Sequence, residues 1–277
     1  MIAVICPIHN NPASVAAQIK NYASVHGDSA VHILHPSIES GNTFEGFARN
    51  YRFDCPVLTC NNRLPTNYYT ALGAAISATT LLDANLGEIT HVYYHTDSDL
   101  LVQRGFTELI KMHDNGYRSK IGDERWHPYK AMLQDPRFKK LRDALEIGED
   151  DIRIGRIEGC FFDIAVWKEM FAVIGKYFET ETLEDKTSRW PMEACLFPTL
   201  ARKLLQRDHA STTNLILTKP PQKRDIGKKI RDHDANIVQV DDIVRAIKKN
   251  VHKQCFGMKW FSPDLEHPSR KFVAQMI

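Results

Sequence analysis

The sequence predicts an α/β fold in which helices flank a mostly parallel β-sheet. Short apolar runs alternate with stretches of helical periodicity through the first half of the chain. Polar clusters follow several of these apolar runs, at the positions where parallel strands would end. With 277 residues and 43% hydrophobic side chains, the chain can bury a sizeable core.

The first half contains four predicted strands and three predicted helices. The strands are expected at Ile2–Cys6, Val31–Leu34, Pro56–Thr59 and Val92–His95. The helices are expected at residues 14–25, with Ser14 as the N-cap, at the alanine-rich Asn67–Leu82, and at residues 104–113. Because strands and helices alternate, the strands should pair in parallel.

The second half is less regular. Residues 114–152 are polar with a helix at Pro136–Leu145, and we expect an excursion or lid over the sheet. The remaining expected elements are strands at Ile152–Ile157, Cys160–Ile164 and Leu215–Thr218, and helices at Val166–Tyr177, Met192–Gln206 and Val238–Lys249. No repeat or linker forces a boundary, so the sequence predicts one domain over residues 1–277.

The net charge, the cysteines and the length of the apolar stretches limit which partners and which cellular location we expect. The chain has 36 basic and 34 acidic residues, and a formal charge of +2 gives no support for a nucleic-acid partner. Six scattered cysteines are expected to be reduced core thiols. No apolar stretch reaches the length of a membrane span, and the N-terminus enters a strand without a leader pattern, which favours a cytoplasmic location. Basic residues near the C-terminus would allow peripheral contact with an anionic membrane surface.

The stretch HVYYHTDSDLLV, residues 91–102, is the most informative part of the sequence. It delivers two carboxylates, Asp97 and Asp99, directly after an apolar strand. In an extended chain these two side chains point the same way. Mg²⁺ and Mn²⁺ prefer carboxylate ligands and keep positions open for phosphate oxygens, so the pair predicts a metal–phosphate site. The alternative is a solvated turn in which Ser98 or Asp99 caps the next helix.

Four polar clusters follow predicted strands and should meet at one edge of the sheet. They are His9–Asn11, His35–Ser37, Asn61–Arg63 and Asp97–Asp99. Ligands of open parallel sheets bind beyond the carboxyl ends of the strands. The sequence therefore predicts a binding site at this edge.

Several motifs, taken together in their order, resemble the nucleotide-sugar-dependent glycosyltransferases of the GT-A fold. They are the first strand ending in Cys6–Asn11, the alanine-rich helix 67–82, the Asp-x-Asp pattern at 97–99, the small turn Glu158–Phe162, and Glu193 in WPMEACLFPTL. The resemblance spans about residues 1–205. It implies a Rossmann-type sheet whose residues 1–113 bind the donor, with an acceptor-side half and C-terminal lid or tail over residues 114–277.

The resemblance also implies roles for individual residues. A nucleotide-sugar, with UDP-sugars favoured, would be held by Pro7, His9, Asn10, Asn62, Arg63, Asp97 and Ser98. A Mn²⁺ or Mg²⁺ ion would be bound by Asp97, Asp99 and, from the C-terminal region, His233, which ranks ahead of His209, His252 and His267. Glu158 and Gly159 would face a glycan or glycolipid acceptor, and Glu193 would be the general base.

The implied activity is hexosyl or N-acetylhexosaminyl transfer in polysaccharide biosynthesis, with inversion if one base and one metal suffice. A retaining mechanism stays open. Structural roles are also open, namely stabilisation of a helix end by Glu193 and a satisfied buried acid at Glu158. Two other classes are a nucleotidyltransferase, whose glycine-rich phosphate loop is missing from CPIHNNP, and a non-catalytic carbohydrate-binding or scaffold protein.

Overall fold

The structure is a computed structural model that describes residues 1–9, 11–66, 71–85, 88–180, 183, 190–206, 216–218, 237–249 and 255–277. The strands are β1 (Ile2–Ile8), β2 (Ala30–Pro36), β3 (Val57–Thr59), β4 (His91–Tyr94), β5 (Asp99–Leu101), β6 (Asn115–Gly116), β7 (Lys120–Ile121), β8 (Arg153–Ile154), β9 (Cys160–Asp163), β10 (Ile216–Thr218) and β11 (Gly257–Lys259). The helices are α1 (Pro12–His26), α2 (Phe47–Asn50), α3 (Leu72–Asn85), α4 (Phe106–Met112), α5 (His127–Gln134), α6 (Pro136–Ala144), α7 (Ile164–Tyr177), α8 (Met192–Leu205), α9 (Val240–Lys249) and α10 (Pro268–Met276).

A six-stranded sheet with the order β3-β2-β1-β4-β9-β6 forms the centre. Strands β3, β2, β1 and β4 are parallel, whereas β9 runs antiparallel to both β4 and β6. Two small sheets, β10-β11-β5 and β7-β8, lie outside it. The prediction of an α/β fold with a mostly parallel sheet flanked by helices is confirmed.

Strand β1 shows why this sheet has helices on both faces. All seven of its residues are buried, as a continuous apolar run in a central parallel strand requires. Successive side chains point to opposite faces. Ala3 and Ile5 pack in the same cluster as residues of α3, α7 and α8, while Ile2 and Val4 pack with residues of α1 and α4. One strand therefore anchors two hydrophobic layers.

Two local details differ from the sequence prediction. Helix α1 begins at Pro12, and its N-cap is Asn11, whose side chain accepts a hydrogen bond from the Ser14 backbone N–H at 3.0 Å. Residues 97–98 form a turn, and Asp99 opens strand β5 instead of capping a helix. Helix α4 is preceded by Gly105 at φ 91°, a conformation that glycine adopts without steric cost. The expectation of extended chain is therefore wrong for Asp97, which lies in the turn, and right for Asp99, which lies in β5.

Pro198 lies inside α8, within the helix that the sequence predicted over Met192–Gln206. Proline has no N–H to donate to the carbonyl four residues earlier. That carbonyl, of Ala194, accepts a hydrogen bond from the Gly155 backbone N–H at 2.8 Å instead. The proline thereby ties the first turn of α8 to the segment after β8, and this contact positions Glu193.

Helices α5 and α6, in the segment 114–152 where we expected an excursion or lid, pack against the hydrophobic core. Tyr129 and Met132 of α5 and Phe138 and Leu141 of α6 belong to the main hydrophobic cluster. All six cysteines are buried and free, as expected. Among the described helices, none is long and apolar enough to cross a membrane. The basic stretch 219–236 lies outside the described residues.

Candidate active site

A cleft of about 880 Å³ opens beyond the carboxyl ends of β1 and β4, where the sequence analysis placed a site. This volume is in the range of pockets that hold small organic ligands. Pro7 and His9 follow β1, and Asp97 and Ser98 follow β4 on one side of it. The other side contains Glu158, from the turn before β9, together with Glu193 and Ala194 from α8.

His9 is held between two acceptors. Its Nδ1 lies 3.3 Å from Asp97 Oδ2, and its Nε2 lies 2.6 Å from the Thr66 carbonyl oxygen. The His9 backbone N–H also donates to Asp97 Oδ2 at 3.2 Å. Burial alone would lower the pKa of His9, but the hydrogen bond and charge of Asp97 outweigh it and raise that pKa. The site therefore favours an imidazolium that donates from both ring nitrogens.

Asp99 is fully buried and lies behind the cleft, outside its lining. Its Oδ2 accepts from the Thr96 backbone N–H at 3.0 Å, and its Oδ1 accepts from Thr96 Oγ1 at 2.6 Å. Burial raises the pKa of Asp99 to about 7, against the opposing effects of Lys259 and Thr96. Asp99 thus closes the turn that presents Asp97, and the two carboxylates have different partners.

Glu158 forms an ion pair with Lys259, which comes from β11 and is 101 residues away in sequence. Burial would raise the pKa of Glu158, but the charge and hydrogen bond of Lys259 lower it. Gly159 does not line the cleft. At φ 87° its backbone N–H donates to the Tyr94 carbonyl at 3.0 Å, which fixes the Glu158 turn at the end of β4.

The carboxylates of Asp97, Asp99 and Glu158, in and behind the cleft, are already engaged with donors from the protein. A divalent metal ion needs several oxygen ligands with free lone pairs. Asp99 is occupied by Thr96, Asp97 accepts from His9, and Glu158 is paired with an ammonium. Within the described part of the chain, no group of three or more histidine, cysteine, aspartate or glutamate side chains could hold a metal. The described residues therefore offer no complete set of protein ligands for the expected Mn²⁺ or Mg²⁺ ion.

Glu193 is the most unusual carboxyl in the cleft. It lies in the first turn of α8 and is 4% exposed, and its Oε2 has no hydrogen-bond partner among the described residues. Burial raises the pKa of Glu193 to about 8, helped by the charge of Glu158 and opposed by backbone N–H groups of Glu193 and Leu72. A buried, unpartnered carboxyl beside a cavity is a group that can exchange a proton with a bound molecule.

The cleft also contains residues that the sequence analysis did not assign. Arg118, Lys120, Arg156 and Lys259 line it, and so does Trp260. Trp260 has φ 74°, which is rare for a bulky residue and is characteristic of functional sites. These five residues come from three separate segments of the chain, so no local sequence pattern marks them as one group. Trp126 both lines the cleft and packs against the core.

Four other candidate residues lie away from the cleft lining or outside the description. Arg63 donates to the Ser37 carbonyl at 2.6 Å and so supports the loop after β2, and Asn62 is exposed. Neither lines the cleft. Asn10 and His233 lie outside the described residues.

No protein-family model and no curated protein matches this sequence. Among solved structures, the chain is similar to the galactosyltransferase LgtC in complex with donor and acceptor sugar analogs, with 12% identity, a TM-score of 0.47, and coverage of 100% of this chain and 95% of that one. An active-site mutant of LgtC gives 11% identity, a TM-score of 0.46 and the same coverage.

A third solved structure is the 4-diphosphocytidyl-2C-methyl-D-erythritol synthase of Anaerococcus prevotii. It is 11% identical with a TM-score of 0.36, covering 75% of this chain and 85% of that one. Identities of 11–12% and TM-scores below 0.5 leave the reaction to be inferred from the cleft itself.

Proposed function

We propose that the protein is a glycosyltransferase that moves a hexosyl or N-acetylhexosaminyl group from a nucleotide-sugar to a hydroxyl of a glycan or glycolipid. The observation that carries this proposal is the Glu193 carboxyl, which is buried, lacks a partner for Oε2 in the described chain, and lines a cleft at the carboxyl ends of parallel strands. Residues 1–113 would bind the donor, and residues 114–277 would present the acceptor.

The charge of the cleft supports an anionic donor. Four cationic side chains, Arg118, Lys120, Arg156 and Lys259, line it together with three carboxyls. Of those carboxyls Glu193 is largely neutral at pH 7, because its pKa is about 8. A surplus of positive charge attracts phosphate-bearing ligands and stabilises a leaving diphosphate.

The reaction needs one proton acceptor. The acceptor hydroxyl oxygen forms a bond to the anomeric carbon as the bond from that carbon to the phosphate oxygen breaks, and the electron pair leaves with the nucleoside diphosphate. Glu193, in its ionised form, takes the hydroxyl proton. A raised pKa makes this carboxylate a stronger base than an ordinary glutamate. With no covalent intermediate, the anomeric centre is inverted.

A donor panel tests this proposal. The purified protein is incubated with UDP-, GDP-, CMP- and TDP-sugars, and release of the nucleotide is measured with water or added glycans as acceptor. We expect one donor class to be turned over and the released sugar to have the inverted anomeric configuration by NMR. Retention of configuration would contradict the assigned mechanism.

Two results would favour other functions. Pyrophosphate release from a nucleoside triphosphate would indicate a nucleotidyltransferase. Glycan binding without stabilisation by any nucleotide-sugar in a thermal-shift panel would indicate a carbohydrate-binding or scaffold protein.

A further inference from the structure

Lys259 lies next to the Asp97–Asp99 turn, at which the sequence predicted a metal. Strand β11 pairs antiparallel with β5, and Lys259 lies directly opposite Asp99 in the register. Side chains of such a pair share one face of the sheet. Beyond Lys259, the backbone N–H groups of Trp260 and Phe261 donate to the Ser98 carbonyl at 2.9 and 3.0 Å. The end of β11 is thereby fixed to the Asp97–Asp99 turn.

The Lys259 ammonium is surrounded by acids. It is hydrogen-bonded to Glu158, and the charges of Glu158, Asp99 and Asp97 all act on it. These charges outweigh burial and keep the pKa of Lys259 above its usual value, so the ammonium is permanently charged. A buried cation of this kind needs such partners, and two of them, Asp97 and Asp99, are carboxylates that were expected to bind the metal.

A divalent ion would have to enter beside this ammonium. Like charges repel, and an ammonium and a divalent ion repel each other twice as strongly as two unit charges at the same distance. The described chain contains no group of three or more histidine, cysteine, aspartate or glutamate side chains that would offset this repulsion. Lys259 and a divalent ion are therefore alternatives at this place.

Lys259 can also meet a ligand in the cleft. Its side chain is 15% exposed and belongs to the cleft lining. An ammonium has three N–H donors, and the hydrogen bond to Glu158 uses one of them. Lysine binds phosphate as a point charge, without a demand for planar geometry.

We propose that Lys259 is the cation that holds and neutralises the diphosphate of the donor, so that nucleotide binding and sugar transfer need no divalent metal. This inference rests on the proposed glycosyltransferase function, and it replaces the metal that the sequence led us to expect. Glu158 then has a positioning role, because it holds the Lys259 ammonium between the Asp97 turn and the cleft.

Binding of UDP and GDP to the wild-type protein tests the inference without any mutation. Isothermal titration is carried out once in EDTA and once in excess Mn²⁺, with uridine and guanosine as phosphate-free probes. We expect a nucleoside diphosphate to bind with the same affinity in both buffers, and more tightly than its nucleoside. Binding that appears only with Mn²⁺ would overturn the inference and leave the proposed function standing, whereas no binding of UDP, GDP or TDP in either buffer, together with no turnover in the donor panel, would overturn both.

Variants then assign the effect to one side chain. Lys259→Gln should weaken nucleoside diphosphate binding in EDTA by roughly 10- to 100-fold and leave nucleoside binding unchanged. Lys259→Arg should keep most of the affinity because the charge is retained. Lys139→Gln, on the exposed face of α6, is the matched control and should change nothing.

Because removal of Lys259 leaves Glu158 unpaired, the double variant Lys259→Gln with Glu158→Gln is included to restore folding. If the folded double variant binds UDP or GDP as tightly as the wild type in EDTA, Lys259 does not hold the diphosphate. Metal-independent sugar transfer by the wild type, lost in the double variant, would support the inference by a second measurement.

Discussion

Two buried carboxyls beside the cleft differ in how they are satisfied. Asp99 lies behind the side of the cleft that the ends of β1 and β4 form, and both of its oxygens accept hydrogen bonds from Thr96. Glu193, on the helix side, has an Oε2 without a partner in the described chain. Burial raises the pKa of both, Asp99 to about 7 and Glu193 to about 8. Asp99, whose two oxygens both accept hydrogen bonds, stabilises the turn. Glu193, which has an oxygen without a partner in the described chain, is the acid suited to proton transfer.

Replacement of Glu193 should give the largest effect. Glu193→Gln keeps the size of the side chain and removes the base, so kcat for sugar transfer should fall by roughly 10²- to 10⁴-fold. Donor affinity should stay within a factor of about two, because the variant leaves the cleft cations in place. Steady-state kinetics and titration calorimetry with the donor that the panel selects measure the two quantities. A near-normal kcat would show that Glu193 is not the base.

The pH dependence of stability should expose the same carboxyl. The pKa of Glu193 is raised from 4.5 to about 8 by folding, so its stabilising contribution is complete below pH 4.5 and is lost as the pH rises through 8. Relative to Glu193→Gln, the wild type should lose about 1.4 kcal/mol of unfolding free energy per pH unit across that window. Urea denaturation of both proteins at several pH values measures this difference.

In the same window kcat should rise with pH toward an apparent pKa near 8, since only the ionised carboxylate accepts a proton. A stability difference that is constant from pH 5 to pH 8 would mean that Glu193 is ionised throughout.

The hydrogen bond from the Gly155 N–H to the Ala194 carbonyl joins the first turn of α8, which carries Glu193, to the segment after β8, and one methyl group can break it. A Cβ at Gly155 would lie 2.0 Å from the Arg118 carbonyl oxygen, so Gly155→Ala must displace backbone. We expect a loss of roughly 1–3 kcal/mol in unfolding free energy, together with reduced kcat. Gly175→Ala in α7 is the matched control, because nothing lies within 4 Å of its added Cβ.

That control should be neutral or stabilising by about 0.5–1 kcal/mol, as expected for alanine in place of glycine in a helix. Thermal and urea denaturation of the two variants give the comparison. Equal stabilities would contradict the close approach of residue 155 to residue 118.

Strands and helices that depend on the pattern of consecutive residues could be predicted from the sequence. The apolar runs of β1, β2 and β4 and the helix pattern of α7 are properties of consecutive residues, so their existence followed from the sequence. The meeting of His9, Asp97, Glu158 and Glu193 in one cleft followed from the rule for strand ends and from the family resemblance.

Contacts between distant segments could not be predicted in this way. The pairing of Lys259 with Asp99 joins positions 160 residues apart, and no periodicity in either segment encodes that register. Two aspartates one residue apart point the same way only if the chain between them is extended. Residues 97–98 form a turn instead. Asp99 itself stabilises this turn through its hydrogen bonds with Thr96. One of the two aspartates that suggested a metal site therefore has a structural role.

The smallest expected effect concerns the strand-end side, where Asp97 sets the charge of His9. Asp97→Asn removes the carboxylate, so burial should lower the pKa of His9 from its raised value while the Thr66 carbonyl still accepts from Nε2. NMR titration of the imidazole measures the shift, and Asp28→Asn, at an exposed aspartate, is the control. Both side chains of the pair are partly exposed, so stability should change by less than about 1 kcal/mol. If nucleotide affinity falls while stability is preserved, the imidazolium contributes to ligand binding; an unaltered His9 titration would instead show that the contact with Asp97 is not populated in solution.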